Sequence, residues 1–381
     1  MKTSLLSFFC LLFVLGCKKA NIDPEPIAPT FKTNCQLAKK QSFYQDAKGI
    51  LQLQTEETYR YDSLKRIVEY KLSFDGNYTT RYEISFTDTY RYDANGFLIE
   101  KIRNGTAYNG FAELQFNKPS LIGIISGKTT FTYQNGLLIK EEAYRKVDAQ
   151  YVIEFANPRT DRKLYEYDTQ GKLSKYRNED SDLEWISYFF DEGKITKSET
   201  DFYDEYAKKV IVANEFNQWG LMTQGNYPKK YYTKGNVSKV TNEPGEYDRF
   251  VYDGYGRRAK IEEYRQQYSS PNGVPQWTDD SKLSSMFDYQ YEDTPQPETT
   301  LPLPKGHPRI PDFDGSSTYN IANTFIRFFA RNSETKRFYS YTYNNEKLPV
   351  NVAITSNIYN EKGEISSTNK SLIKYEYVNC K

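Results

Sequence analysis

Tyr165-Glu166-Tyr167-Asp168-Thr169-Gln170-Gly171-Lys172-Leu173 is the unit from which most of the chain is built. Two aromatics at period 2 belong to a strand, Asp168 opens a tight turn by accepting backbone N–H bonds, and Gly171 supplies the positive φ that closes it. The chain leaves as a second strand at Leu173. The stretch is therefore a β-hairpin with its turn written into it.

Degenerate copies run from Tyr59 to Ile365. Tyr59-Arg60-Tyr61-Asp62 leads to Arg66-Ile67 with Lys65 in the glycine's place. Tyr90-Arg91-Tyr92-Asp93 precedes Asn95-Gly96, Phe131-Thr132-Tyr133 precedes Asn135-Gly136, and Tyr188-Phe189-Phe190-Asp191 precedes Gly193. Phe216-Asn217 with Gly220, Tyr231-Tyr232 with Gly235, Phe250-Val251-Tyr252-Asp253 with Gly256, Tyr341-Thr342-Tyr343-Asn344, and Tyr359-Asn360 with Gly363 continue the series. Phe74-Asp75-Gly76-Asn77 and Asn109-Gly110 read as further turns. Consecutive hairpins of this kind make an antiparallel meander. The expected fold is all-β, an antiparallel meander of repeated hairpins forming a curled sheet, an open barrel or a solenoid-like array.

The pattern aromatic-x-Tyr-Asp-x-x-Gly-x-Leu resembles the YD repeat of the RHS family, and the whole chain resembles small YD-repeat lipoproteins of Bacteroidota. The resemblance implies the strand-turn-strand unit and no particular activity.

Five segments follow. Residues 1–16 form a signal peptide: Lys2, then an apolar run from Leu5 to Leu15 too short to span a bilayer. Val14-Leu15-Gly16-Cys17 resembles a lipobox, which implies cleavage before Cys17 and its acylation. Residues 17–34, with Pro24, Pro26 and Pro29, read as a flexible tether. Residues 35–293 carry the hairpin array. Residues 294–320, with six prolines from Pro295 to Pro311, read as an extended surface excursion, since proline cannot donate to a central ladder. Residues 321–381 complete the array, with 321–330 readable as a short helix or a strand. The resemblance to lipoproteins of Bacteroidota implies an outer-membrane location, held by lipid.

Hydrophobic residues make up 38% of the chain, mean hydropathy is −0.79, and there are 35 Tyr. Such a chain buries amphipathic rings rather than aliphatic runs. Loss of Lys2 with the signal leaves 50 basic residues against 50 acidic ones, a balance that argues against nucleic-acid binding. A membrane-spanning barrel is disfavoured because both faces of strands such as Lys260-Ile261-Glu262-Glu263-Tyr264-Arg265 carry charge. Of four cysteines, Cys10 leaves with the signal and Cys17 takes lipid. Cys35 and Cys380 remain as a candidate disulfide, or as two free thiols.

Chemistry is sparse. His307 is the one histidine, no Gly-x-Ser-x-Gly elbow accompanies it, and it reads as a solvated loop residue. No catalytic residue, metal site or cofactor is nominated. Gly123-Ile124-Ile125-Ser126-Gly127-Lys128-Thr129 is one residue short of a phosphate-binding loop and reads as strand, turn and strand. Asp312-Phe313-Asp314-Gly315 departs from a calcium loop at the required glycine. Asp62, Asp93, Asp168, Asp191 and Asp253 recur at the turn-opening position for a structural reason. Trp185, Trp219 and Trp277 are candidates for stacking on a ligand, against packing with cross-strand neighbours.

The functional expectation is a non-enzymatic envelope scaffold or binding module whose partners are the membrane, through its lipid, and a glycan or an envelope protein. The alternatives are a glycan-binding lipoprotein in polysaccharide uptake and an exported carboxylate-dependent glycosidase.

Overall fold

The structure, a computed structural model, describes residues 35–380 apart from residues 47, 75–82, 110–119, 150–158, 180–183, 192–193, 204–208, 218–220, 234–235, 270–275, 298–300, 309–318 and 330–331. The signal, Cys17 and the tether lie outside the described residues, as do the turns after Phe74 and Asn109 and the segment Asp312–Gly315.

Twenty strands follow one another: β1 (Gln36–Gln45), β2 (Leu51–Tyr61), β3 (Ile67–Phe74), β4 (Glu83–Tyr92), β5 (Leu98–Asn109), β6 (Ser120–Gln134), β7 (Leu137–Ala149), β8 (Arg159–Tyr167), β9 (Leu173–Glu179) and β10 (Glu184–Asp191). Then come β11 (Lys194–Tyr203), β12 (Lys209–Phe216), β13 (Met222–Thr233), β14 (Asn236–Tyr252), β15 (Arg258–Ser269), β16 (Gln276–Pro295), β17 (Tyr319–Phe328), β18 (Ser333–Tyr343), β19 (Pro349–Tyr359) and β20 (Ile365–Val378). Each pairs antiparallel with the next, and β20 pairs back onto β1 from Gln36↔Val378 to Tyr44↔Ser371. The meander is as expected, but it is neither open nor solenoid-like. It closes into a barrel in which every strand pairs on both sides, β12 meeting β13 only at Glu215 and Phe216.

Residues of alternate parity face inward and outward. On β4 and β5 the inner set is Phe86, Asp88, Tyr90 and Tyr92 facing Gly105, Arg103, Lys101 and Leu98, and the outer set includes Arg91 facing Glu100. Asp88 is 1% exposed, whereas the Arg91 side chain is 65% exposed. Around the barrel the outer side chains of Arg60, Arg91, Lys128, Arg162, Lys197, Arg249 and Arg327 are all half exposed or more. A lipid-facing wall needs a continuous apolar band. The described outer face has none.

The core is a ring of aromatics on the inner wall near the even-to-odd turns. Leu138, Tyr165, Tyr176, Tyr188 and Ile195 form one buried cluster, and Leu37, Val352 and Tyr375 another. The tyrosines meet across strands, Tyr165 to Tyr176 at 5.3 Å and Tyr176 to Tyr188 at 5.8 Å between centroids. Full burial of Leu138 and Ile195 contributes roughly 1.5–3 kcal/mol each.

The repeated motif has two local consequences. At the turn, Asp168 Oδ1 accepts from the amides of Gln170 and Lys172 at 2.8 Å each, and Gly171 sits at φ +77°. Asp62, Asp93, Asp253, Asn344 and Asn360 do the same. Lys65 takes φ 61° where glycine is usual, which costs on the order of 1 kcal/mol. Second, the motif tyrosine reaches back to the strand before its own. Tyr61, Tyr92, Tyr133 and Tyr167 donate to the carbonyls of Leu37, Ile67, Leu98 and Leu138, and Tyr252, Tyr291 and Tyr377 to those of Met222, Arg258 and Pro349, while on β18 it is Tyr341, two residues before the motif's Tyr343, that donates to Ile321 O. Each hydroxyl thus locks an even strand to the start of its odd neighbour, and each is half-buried. The equivalent positions on β10 and β12 are Phe190 and Phe216, which have no hydroxyl.

Two sequence expectations are corrected and one left open is decided. Gly123–Thr129 belongs to one uninterrupted strand, β6, because Ile125 and Gly127 keep the inner parity up to Tyr133 without a turn. Of the helix and the strand left open for 321–330, residues 321–328 form the strand, since β17 pairs with both neighbours. The proline-rich segment is no free surface excursion. Its ends at 294–295 and 319–320 belong to β16 and β17, and residues 301–308 fold back under the barrel. Leu301 packs on the Leu37 cluster, Lys305 Nζ donates to Asn95 O at 3.0 Å and lies over the Phe97 ring, and Leu138 N donates to Gly306 O at 2.9 Å. Prolines cannot extend a ladder, but their neighbours' carbonyls can accept from one.

Candidate functional site

Above the aromatic ring, charged side chains occupy the inner wall of β5 to β9. Cross-strand register brings Lys101, Thr129, Ala143 and Asp161 into one row. Glu141, Lys163 and Asn178 form the row beside it. Because Gly127 and Ala143 have little or no side chain, the wall is hollowed there into a cavity of about 270 Å³ lined also by Arg103.

The charges are mostly committed. Arg103 is bidentate on Asp88, with Nε and Nη2 each 2.7 Å from a carboxylate oxygen, and its guanidinium lies 3.6 Å from the Phe86 ring centre. Glu141 takes Lys163 at 3.5 Å and the Tyr165 hydroxyl at 3.4 Å. Lys128, on the outer parity, pairs with Glu100 at 2.5 Å. Among the described residues no ion pair joins Lys101 to a carboxylate. Burial lowers its ammonium below the ordinary lysine value, with Asp88 opposing. Burial likewise holds Tyr90 and Tyr165 in the protonated form well past the usual phenol range. Among the described cations of this wall, Lys101 is the one that makes no ion pair, with Asp88 and Glu141 acting on it from a distance and Asp161 in its row.

The residues nominated from sequence lie elsewhere. Cys35 and Cys380 are joined, Cα to Cα 4.2 Å, at the junction where β20 meets β1. Trp219 lies outside the described residues. Trp185 and Trp277 stand on β10 and β16, opposite Asp201 and Tyr268, and their side chains are also outside the described set. His307 is a correction: it is half-buried rather than solvated. Its Nε2 lies 2.8 Å from the Tyr133 hydroxyl and its ring 5.4 Å from that of Phe131, and burial pushes its pKa down to about 4. Asp62, Asp93, Asp168 and Asp253 serve their turns.

Sequence reasoning passed over Asp88, Lys101, Arg103, Glu141, Asp161 and Lys163. A signal was present. Counting back by twos from Tyr90 and Tyr165 places Asp88, Lys163 and Asp161 on the face of the buried rings, where a charge is costly unless something answers it.

No family model matches the chain, and no curated protein matches it. Among the solved structures similar to it are two described as porin-like proteins. That from Bacteroides uniformis is 12% identical over 93% of this chain and 100% of its own, with a TM-score of 0.31. That from Bacteroides vulgatus is 9% identical over 90% and 98%, with a TM-score of 0.27. Likeness at this level bears on neither mechanism nor ligand.

Proposed function

We propose that the chain is a non-enzymatic, outer-membrane-anchored lipoprotein of the YD-repeat kind, a tethered barrel that serves the envelope as a binding module. The observation that carries this reading is the pairing of a charged outer face with the position of the chain ends. Cys35 and Cys380 meet at the aromatic floor, so a tether preceding Cys35 leaves from the floor. A lipid on Cys17 would then hold the floor towards the bilayer while the charged wall stays in water. The polar inner wall would face the opposite rim, where a glycan or an envelope protein could approach.

Fractionation tests it. Cys17→Ala should move the folded chain from the membrane to the soluble fraction. Retention of that variant in the membrane against carbonate extraction would mean that the strands themselves insert, and would sink the tethered-barrel reading. Release of reducing sugar from a polysaccharide, abolished by one carboxylate substitution, would replace the binding module by the glycosidase. Saturable binding on a glycan array, lost when Trp185, Trp219 and Trp277 are changed to Ala, would narrow the partner to a glycan.

A further inference from the structure

We infer that the inner-wall cavity between β5 and β9 binds a small hydroxylated monocarboxylate, an acidic sugar in chemical class, with Lys101 taking the carboxylate. The inference deepens the binding-module reading and rests on it. Size comes first. At about 270 Å³ the cavity is near the lower end of ligand pockets and suits one sugar-sized molecule rather than a chain.

Charge comes second. Arg103 is committed to Asp88, Lys163 to Glu141 and Lys128 to Glu100. Lys101 alone of these cations makes no ion pair among the described residues. A half-buried ammonium without an ion-pair partner is unfavourable, and one incoming carboxylate reduces that cost. A second negative charge would find Arg103, Lys163 and Lys128 already paired. The site therefore selects a monoanion over a phosphate ester.

Hydrogen bonding comes third. Thr129, Asn178 and the carboxylates of Glu141 and Asp161 ring the cavity with groups that pair with hydroxyls, and Ala143 and Tyr144 complete its lining. The positions are held by strand backbone in register, not by loops, so the wall is preformed.

The test is calorimetric titration of the full chain carrying Cys17→Ala, with sodium D-glucuronate, D-glucose, sodium acetate and glucose 6-phosphate as probes. Glucuronate should bind saturably and at least tenfold more tightly than the other three. Lys101→Met should weaken it at least tenfold, and Lys140→Met, on the outer wall, should not. Because a half-buried Lys101→Met change could disturb folding, Thr129→Val provides a second variant, expected to weaken glucuronate without altering the circular dichroism. Equal binding of glucose, preference for the phosphate, unchanged affinity in Lys101→Met, or no saturation by glucuronate would each overturn the inference. Any of these alongside normal release of Cys17→Ala from the membrane leaves the tethered binding module standing and removes only its ligand class.

Discussion

Changing Tyr167 to Phe removes one hydroxyl and almost nothing else, so it isolates the lock that the motif repeats around the barrel. The hydroxyl donates to Leu138 O at 2.7 Å, and Leu138 is fully buried. A typical hydrogen bond contributes about 0.5–1.5 kcal/mol net, and a buried acceptor left without its donor costs about 1–3 kcal/mol. Water reaches the half-buried phenol position, so about 1–2 kcal/mol is expected. Thermal melting is a poor readout. At roughly 2.1 cal/mol/K per residue over the 345-residue span from Cys35 to Cys380, 2 kcal/mol moves the midpoint by only about 3 °C. Urea unfolding, with the slope checked for constancy, is the better assay. The converse change supplies a control within the same molecule. Phe190 occupies the equivalent place on β10, facing the start of β9 at Leu173, and Phe190→Tyr should recover about 0.5–1.5 kcal/mol. If Tyr167→Phe costs less than about 0.3 kcal/mol while Phe190→Tyr destabilises, the hydroxyls are incidental to packing and the lock is refuted.

Three further outcomes are expected. Replacing Cys35 and Cys380 together by Ala should lower stability by about 2–5 kcal/mol, below the roughly 6 kcal/mol that loop closure of this length allows, because β1 and β20 still pair; equilibrium unfolding with and without reductant measures it. Gly306→Ala should cost about 1–3 kcal/mol, since the residue sits at φ +79° and a Cβ would lie 2.5 Å from Gly136 O; loss of hydrogen-exchange protection at the Leu138 amide would show the strap detaching, and full protection would contradict it. His307 is held neutral by burial, with its pKa lowered to about 4 from 6.5, so the folded chain binds fewer protons than the unfolded one between those values. Stability from this group is complete above about pH 6.5 and is lost as pH falls towards 4. The difference in urea stability between the native chain and His307→Gln should therefore shrink on acidification, and a pH-independent difference would exclude the histidine as its source.

The hairpin and its turn were legible because the cause is local. Tyr165, Tyr167, Asp168 and Gly171 each act on atoms within a few residues or one neighbouring strand. Lys65 shows the limit of that legibility: the turn forms at φ 61° without glycine because Asp62 still supplies its hydrogen bonds. Closure was not legible. It depends on the accumulated twist of all strands bringing Gln36 beside Val378, and no short pattern encodes that sum. The inner-wall site lay between these cases. Its charges share parity with the motif tyrosines, but bulges such as that between Arg91 and Tyr92 shift the face, and register across five strands decides which charges meet. The proline-rich strap was misread because its composition announces what it cannot donate and hides what it can accept.

The bond between Cys35 and Cys380 stands at the floor-level junction between β20 and β1, which no turn connects. Topologically the protein is therefore a ring with a seam whose position is arbitrary. A short peptide could replace the seam, and new ends could be cut at the turn after Asp168 or Asp253 to give circular permutants of the same barrel. By the same logic a pair of strands can be inserted or lost at any hairpin, widening or narrowing the circumference while the two ends stay side by side. The unevenness of the motif copies is what such a history of duplication and trimming would leave.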